Sequence, residues 1–556
     1  LSNTTSIAEQ PNILIFMTDQ QRGDSAPPYG RAKMPNLERF AAEGVSFSET
    51  YGPAPHCCPS RATFFTGLYP AQHGVWNNVN VGNTLSRGLK RGLRLFSDDL
   101  AAAGYDLRYS GKWHVSTLES PRDRGWTMRY PEPELLDNSG IYADYRSSSH
   151  WERYRELAAS EPVASEPVAG SQPVVASAPE EGAIERPGYG TFRLFGTRER
   201  PSGDRKVVDD AIEHLSDWAD TDTAVCQYVG PIGPHDPYFV PKEFLDLYDP
   251  ADIELPENFT DDVSDKPRLY QRTRDRYQQL TPDEHREAIR HYLAYCTYED
   301  ALFGEVLDAL EKTGKADNTI VLFISDHGDY AGEHGMWTKG LPCFRSAYHV
   351  PALVRWPAGV RNPGRVCEEM VSLADFAPTF LEAAGISEEE HRRAGSRTLR
   401  ELAGDEASEH PEMVGRSLMP FLRDESPADW RDELHTQSNG NELYGIQRSV
   451  MTNKWKFVYN GYDYDELYDL ESDPGEVRNL LGGGPLGGRW EGGRRIADVD
   501  TGERTEPTPD LDPVVRDLMQ RIWRFSHRTN DVCINPYIMV SFAPYGPALA
   551  FETTEK

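Results

Sequence analysis

"YEDALFGEVLDALEKTGKADNTIVLFISDHGD", residues 298–329, changes its hydrophobic period halfway along. In the first half Leu302, Val306, Leu307 and Leu310 recur at helical spacing, and Gly314 stands where a helix can stop. The second half holds a short unbroken apolar run, "TIVLFIS", of the kind buried on both faces of a parallel sheet. A helix feeding straight into such a strand is half of a βα repeat. "LFSDDLAAAGYDLRYSGKWH" (95–114) repeats the pattern, with Gly104 as the helix stop. The chain is therefore expected to be α/β, with a large, mostly parallel sheet flanked by helices.

Working outward, the texture changes near residue 430. "QRSVMTNKWKFVYN" (447–460) and "DELYDLESDPGEVRNL" (465–480) read as an antiparallel hairpin, a turn and a short helix. We therefore expect a catalytic-sized unit over 1–430 and a smaller C-terminal α+β subdomain over 431–556 that contains an antiparallel sheet. "SEPVASEPVAGSQPVV" (160–175) repeats a Pro-, Ser- and Glu-bearing pentapeptide with no large apolar group, which reads as a low-complexity surface insertion over about 158–185. The glycine-rich "LGGGPLGGRWEGGRR" (481–495) lacks the strand–turn–helix context of a phosphate cradle and reads as a loop.

Composition excludes several classes. With 556 residues, 38% hydrophobic and 11% aromatic, the chain can bury a large core. A net charge of −31 argues against nucleic acid and against an acidic membrane surface, because both are bound through Lys and Arg. No apolar run nears the ~20 residues that span a bilayer. Seven scattered cysteines (57, 58, 226, 296, 343, 367 and 533) form neither a disulfide framework nor a zinc module. "LSNTTSIAEQ" at the start lacks the basic and apolar regions of an export signal, so a cytoplasmic location is expected unless a leader has been removed.

Chemistry gathers where the strands end. "NILIFMTDQ" ends in Asp19 and Gln20, "DLRYSGKWH" in Lys112 and His114, "AVCQYVGPIGPHDP" runs into His235, and "TIVLFISDHGD" ends in Asp326 and His327. In an open α/β sheet such ends share one crevice. Singly, an Asp after a strand reads as a turn or cap and a lone His as a solvated loop residue; four together point to a site. Asp19, Asp326 and His327 offer donors suited to Ca²⁺, Mg²⁺ or Mn²⁺. Lys112, His114 and Lys339 (in "GMWTKG") add positive charge and proton transfer, a set that fits a tetrahedral anion held against a cation. In "HCCPSRATFFTGLYP" (56–70), Pro59 suits a first helical turn and Gly67 a stop, so Cys57 lies at a helix N-terminus, where thiolates and anions are favoured.

These residues resemble the formylglycine-dependent sulfatases of the alkaline-phosphatase superfamily. Cys57, Pro59, Ser60 and Arg61 match the signature C-x-P-S-R, "ATFFTGLYP" its continuation, "GKWH" the second signature, "PHDPY" the leaving-group histidine segment, and "SDHGDYAGEHGMWTKG" the metal and lysine segment. The resemblance implies an alkaline-phosphatase-like fold and hydrolysis of a sulfate monoester, of a carbohydrate or small molecule, to alcohol and sulfate. It implies Cα-formylglycine at Cys57, made by a formylglycine-generating or anaerobic sulfatase-maturating enzyme, with Cys58 a bystander. A divalent metal, Ca²⁺ first and Mn²⁺ or Mg²⁺ next, would be held by Asp19, residue 57, Asp326 and His327. Arg61, Lys112, His114, His235 and Lys339 would carry the chemistry. Gln20 replaces a second Asp of many relatives and His327 an Asn, as in the choline-sulfatase-like and phosphonate-monoester-hydrolase-like branch; the neutral amide makes Gln20 a doubtful ligand. A phosphonate monoester or phosphodiester hydrolase, and a non-catalytic binding protein with unmodified Cys57, are the alternatives.

Some residues stay open. His73 and Asn78 either reach the pocket or pack and cap the signature helix. Trp76, Trp113 and Trp337 either stack on a sugar or aryl group or pack in the core. Arg87, Lys90, Arg91 and Arg94 form either a rim for a polyanionic glycan or a solvated loop.

Overall fold

The computed structural model describes residues 10–81, 84–130, 181–186, 190–199, 203–404, 408–441, 444–482, 490–491, 494–495 and 511–534. Most of the insertion expected at 158–185 and most of the tail after 481 lie outside these residues.

A seven-stranded sheet forms the centre, made of β1 (Asn12–Thr18), β2 (Val45–Phe47), β3 (Asp106–Gly111), β4 (Val225–Gly230), β5 (Thr319–Ser325), β6 (Ala352–Arg355) and β7 (Arg365–Cys367). Its spatial order is β7-β2-β6-β5-β1-β4-β3. The four strands β5-β1-β4-β3 are mutually parallel, while β6 runs antiparallel to both β5 and β2. The sheet is mostly parallel, as the alternating periods predict.

Continuous apolar runs form the central strands because both faces are covered. On β1, Leu14 and Phe16 enter one core and Ile13, Ile15 and Met17 the other; β5 divides likewise, with Val321 and Phe323 opposite Ile320, Leu322 and Ile324. The first core is roofed by α2 (Asp204–Ser216) and α3 (Pro282–Lys312), the second by α1 (Cys57–Thr66) and the helices Phe96–Ala102 and Phe376–Ala383. The helix read at 298–312 begins sixteen residues earlier: Thr281 and Glu284 form a reciprocal capping box and Pro282 occupies the first turn.

The C-terminal antiparallel sheet has β8 (Leu434–Gly440), β9 (Tyr444–Met451), β10 (Trp455–Asn460) and β11 (Glu466–Asp469) in that order. One face packs on α4 (Asp512–Thr529) through Val450, Phe457, Leu467, Leu518 and Ile522. Leu434, Met451 and Val458 meet Tyr51, Tyr270 and Phe344 of the larger part. The short helix expected before residue 480 is absent: the Asp473 carboxylate takes the N–H groups of Val477 and Arg478, and Asn479 bridges Asp265, Asp465, Leu467 and Leu481, holding the segment in turns.

Strand ends place the polar groups. Gly111 closes β3 at φ +100°, and a Cβ there would lie 2.2 Å from the Gly230 carbonyl oxygen. That oxygen accepts the next amide, Lys112 N–H, at 2.9 Å. Gly111→Ala is expected to destabilise the fold by at least about 2 kcal/mol, read as a lowered thermal unfolding midpoint, and to displace Lys112; an unchanged midpoint would show that the β3–β4 register tolerates a side chain there.

Candidate active site

The ends of β1, β3, β4 and β5 and the first turn of α1 meet at one point. Asp19, Cys57, Asp326 and His327 are buried, and one donor atom from each lies within 4.8 Å of all the others. Cys57 Sγ is 3.2 Å from His327 Nε2 and 3.6 Å from Asp19 Oδ1. Cys57 opens α1 after the extended His56, and the helix stops at Gly67 with φ +69°. Cys58 turns into the core, where burial, then Cys57, pushes its thiol well above the ordinary range. The adjacent cysteines are chemically unequal: one at the site, one inert.

Arg61 ties the cluster together. Its Nε donates to Asp326 Oδ2 at 2.7 Å, one terminal nitrogen to Asp19 Oδ2 at 3.1 Å, and the other to the Tyr228 hydroxyl at 2.7 Å and the Lys112 carbonyl at 3.3 Å. Lys112 Nζ donates to Asp19 Oδ2. Burial works to raise the Asp19 carboxyl, but Lys112, His235, Arg61 and His327 outweigh it and hold it well below the usual range. Asp326 Oδ1 accepts the N–H groups of Gln20 and His327 at 3.1 and 2.9 Å. His327 donates Nδ1–H to the Gly328 carbonyl at 2.8 Å, which leaves the Nε2 lone pair toward Asp19 and Cys57. Burial, with Lys339, pushes His327 down and keeps it neutral. Two hard oxygens and a neutral imidazole nitrogen facing one point, each fixed from behind, fit a divalent cation.

Around this point stand the groups that can move protons. Lys339 Nζ donates to His235 Nε2 at 2.5 Å and to Gln20 Oε1; His235 Nδ1 donates to the Asp236 carbonyl at 2.6 Å. His235 Nε2 is 4.0 Å from Asp19 Oδ1. The Gln20 amide nitrogen gives its protons to Asp329 at 2.5 Å and Asp236 at 3.1 Å, so Gln20 bridges the lysine to two carboxylates. His114 has φ +51° and bonds through Nε2 to Asn80 Oδ1 at 2.9 Å, while its buried Nδ1 has no partner among the described residues. Burial, then Lys112, holds His114 well below its ordinary value. All the candidate site residues read from the strand ends, the signature helix and Lys339 thus belong to one electrostatic neighbourhood.

The open readings settle mostly as packing. His73 is buried against Thr63 and accepts Val75 N–H, and Asn78 Oδ1 accepts Cys58 N–H at 3.2 Å in the first turn of α1. Asn78 N–H in turn donates to Asn441 Oδ1, and Ala71 N–H to Gln437 Oε1, which fastens the α1 region to the C-terminal sheet. Trp113 and Trp337 are buried, with indole N–H donated to Glu119 and His285; Trp76 is partly exposed beside the Arg448 guanidinium, 5.3 Å from its ring. Arg87 and Lys90 bond main-chain carbonyls and Arg94 pairs with Asp99, as in a solvated loop. Tyr228, Asp236, Asp329 and Asn80 carry site contacts that no spacing announced; the first three lay within the quoted strand ends without being singled out, and Asn80 lay outside them.

Comparison with known proteins gives a consistent result. The family model described as Sulfatase matches residues 11–386, and that described as N-sulphoglucosamine sulphohydrolase, C-terminal, matches residues 394–485. A choline-sulfatase of Rhizobium meliloti is 28% identical over 492 residues, covering 85% of this chain and 82% of its own. An arylsulfatase of Clostridium perfringens is 27% identical over 502 residues, covering 85% and 90%. The solved phosphonate monoester hydrolase of Silicibacter pomeroyi shares the fold, with TM-score 0.65 and 20% identity over 95% of this chain and 97% of that one.

Arg61→Ala leaves Asp19 and Asp326 buried without their shared cation and is expected to cost about 3–5 kcal/mol of folding stability, measured by denaturant unfolding. The pH sign follows from Asp19. Its folded value lies below the unfolded one, so its contribution is present above roughly pH 4 and fades only as pH falls through the folded value. Without Arg61 that fading begins at higher pH; an acid limb unmoved by R61A would refute the coupling.

Proposed function

This chain belongs to the sulfatase family and is a sulfuric ester hydrolase; on that premise we propose that it cleaves a sulfate monoester of a sugar or small alcohol, using Cys57 matured to Cα-formylglycine beside a divalent cation. The observation that carries the reading is the convergence of Asp19, Cys57, Asp326 and His327 within 4.8 Å, backed by Arg61 and ringed by Lys112, Lys339, His114 and His235. The Cys57 sulfur stands in for the aldehyde-derived oxygens of the mature residue.

Hydrated formylglycine at residue 57 would supply one oxygen to bond sulfur as the alcohol leaves, and a second whose deprotonation would release sulfate and restore the aldehyde. The cation supplies Lewis-acid neutralisation of charge on the reacting oxygens, with Ca²⁺ favoured by the hard carboxylates and Mn²⁺ or Mg²⁺ compatible with them. Lys112 and Lys339 attract the anionic sulfuryl oxygens against the chain's negative background, and Arg61 fixes the carboxylates so that they do not swing to meet it. His235, recharged by Lys339, gives its proton to the departing alcohol. His114, kept neutral, takes the proton of the second hydroxyl through its unpartnered Nδ1. Cys57 is only 1% exposed, so a formylglycine-generating or anaerobic sulfatase-maturating enzyme must act before α1 folds.

Protein matured in a competent host is expected to release inorganic sulfate from a nitrophenyl sulfate and from one of a panel of sulfated sugars and small sulfate esters. Activity is expected to vanish in Cys57→Ala and in chelator, and to return with Ca²⁺, Mn²⁺ or Mg²⁺. Peptide mass should show aldehyde at residue 57. An unaltered thiol in active protein, full activity in C57A, or a higher kcat/KM on an aryl phosphonate would each overturn the reading.

A further inference from the structure

Beneath the turn that carries His235 lies a carboxyl pair outside the reaction just outlined. Asp204 begins α2 and Glu299 lies in the middle of α3, and neither is exposed at all. Asp204 Oδ1 accepts Ile232 N–H at 2.6 Å and Oδ2 accepts the Tyr295 hydroxyl at 2.9 Å. The Ile232 carbonyl accepts His235 N–H at 3.0 Å, and the Gly233 carbonyl accepts Asp19 N–H at 3.1 Å. The same short turn therefore connects Asp204, His235 and the metal-site carboxylate. Glu299 presses on it: a Cβ on Gly233 would lie 2.1 Å from Glu299 Oε1.

Both carboxyl oxygens of Glu299 are buried with no hydrogen-bond donor among the described residues, and the charged group that acts on it is Asp204. Tyr295, Cys296 and Tyr298 lie about it on α3 and Asp204 on α2; the guanidinium of Arg205, next in sequence to Asp204, is engaged by Asp209 and Glu305. Two ionised carboxylates cannot be held together in such a place. The proton belongs on Glu299, since Asp204 already accepts an amide and a hydroxyl. Burial, then Asp204, pushes Glu299 well above the carboxylate range, and burial raises Asp204 to about 6.

We propose that Asp204 and Glu299 share one proton and act as positioning residues, the neutral Glu299 donating to Asp204 and Asp204 clamping the Ile232–His235 turn so that the imidazole meets the leaving oxygen. The positioning role rests on the sulfatase reading; the shared proton does not. A merely structural pair would affect all substrates alike. A pair that positions His235 matters only where the leaving group needs a proton.

The test compares wild type, Asp204→Asn and Glu299→Gln on an alkyl sulfate and on nitrophenyl sulfate. D204N is expected to lower kcat on the alkyl ester at least about tenfold with KM little changed, and to spare the nitrophenyl ester. E299Q, whose amide still donates to Asp204, is expected to keep the neutral-pH rate ratio and to lose the alkaline fall in alkyl-ester turnover that ionisation of Glu299 causes in wild type. Equal losses on both esters in D204N, or an E299Q pH profile identical to wild type, would overturn the positioning role; E299Q serves alone if D204N does not fold. Independently of substrate, the wild-type minus E299Q infrared difference at pH 7 should contain the C=O stretch of a protonated carboxyl, and its absence would overturn the shared proton. Wild type that cleaves neither ester while showing that band would overturn the sulfatase reading, and the positioning role with it, but not the proton.

Discussion

One guanidinium gathers all four mutually parallel strands. Arg61 contacts Asp19 beyond β1, the Lys112 carbonyl beyond β3, Tyr228 on β4 and Asp326 beyond β5, and it is wholly enclosed. Such a charge is tolerated only with its donors satisfied and its countercharges in place. Asp19 and Asp326 are fixed in turn, since each gives its Oδ2 to the arginine while its Oδ1 lies toward His327 Nε2. The planar fork suits this task because it engages several partners in a fixed geometry, which an ammonium group on a flexible stem does not. The position of α1 on the sheet, and hence of Cys57, follows from that constraint.

The architecture was legible where local and long-range demands agree. β1 and β5 read as buried strands because helices cover both faces, and the polar residues terminating them read as a site because strand ends open on one crevice. The same logic failed at 470–480, where carboxylate-to-amide bonds from Asp473 and long-range bonds from Asn479 override a helical pattern. It also stopped short at α3, whose capping box at Thr281 and Glu284 was a sequence signal left unread. At the site, residues bearing motifs could be named. Those recruited purely by tertiary proximity could not: Tyr228 sits inside a strand pattern and Asn80 in an undistinguished loop, and nothing about their spacing foretells contact with Arg61 or His114.

The chain is acidic, but its site is locally balanced. A net charge of −31 repels an anion at a distance, yet Debye screening confines that repulsion to about 8 Å at physiological salt. Inside the cleft, Lys112, Lys339 and Arg61 act through less solvent and offset the nearby carboxylates. Two carboxylates balanced by Arg61 and Lys112 leave a cluster without large net charge before any cation arrives, which is why it can be built into a fully packed interior.

The fastening of α1 to the C-terminal sheet through Asn78–Asn441 and Ala71–Gln437 has an evolutionary corollary. A substitution at Asn441 can shift the backbone that follows the signature helix, while Asp19, Arg61 and Asp326 stay anchored on the parallel sheet. The segment beside the signature helix and the cluster that ties Arg61 to its carboxylates are thereby held by separate pieces of chain and can vary separately.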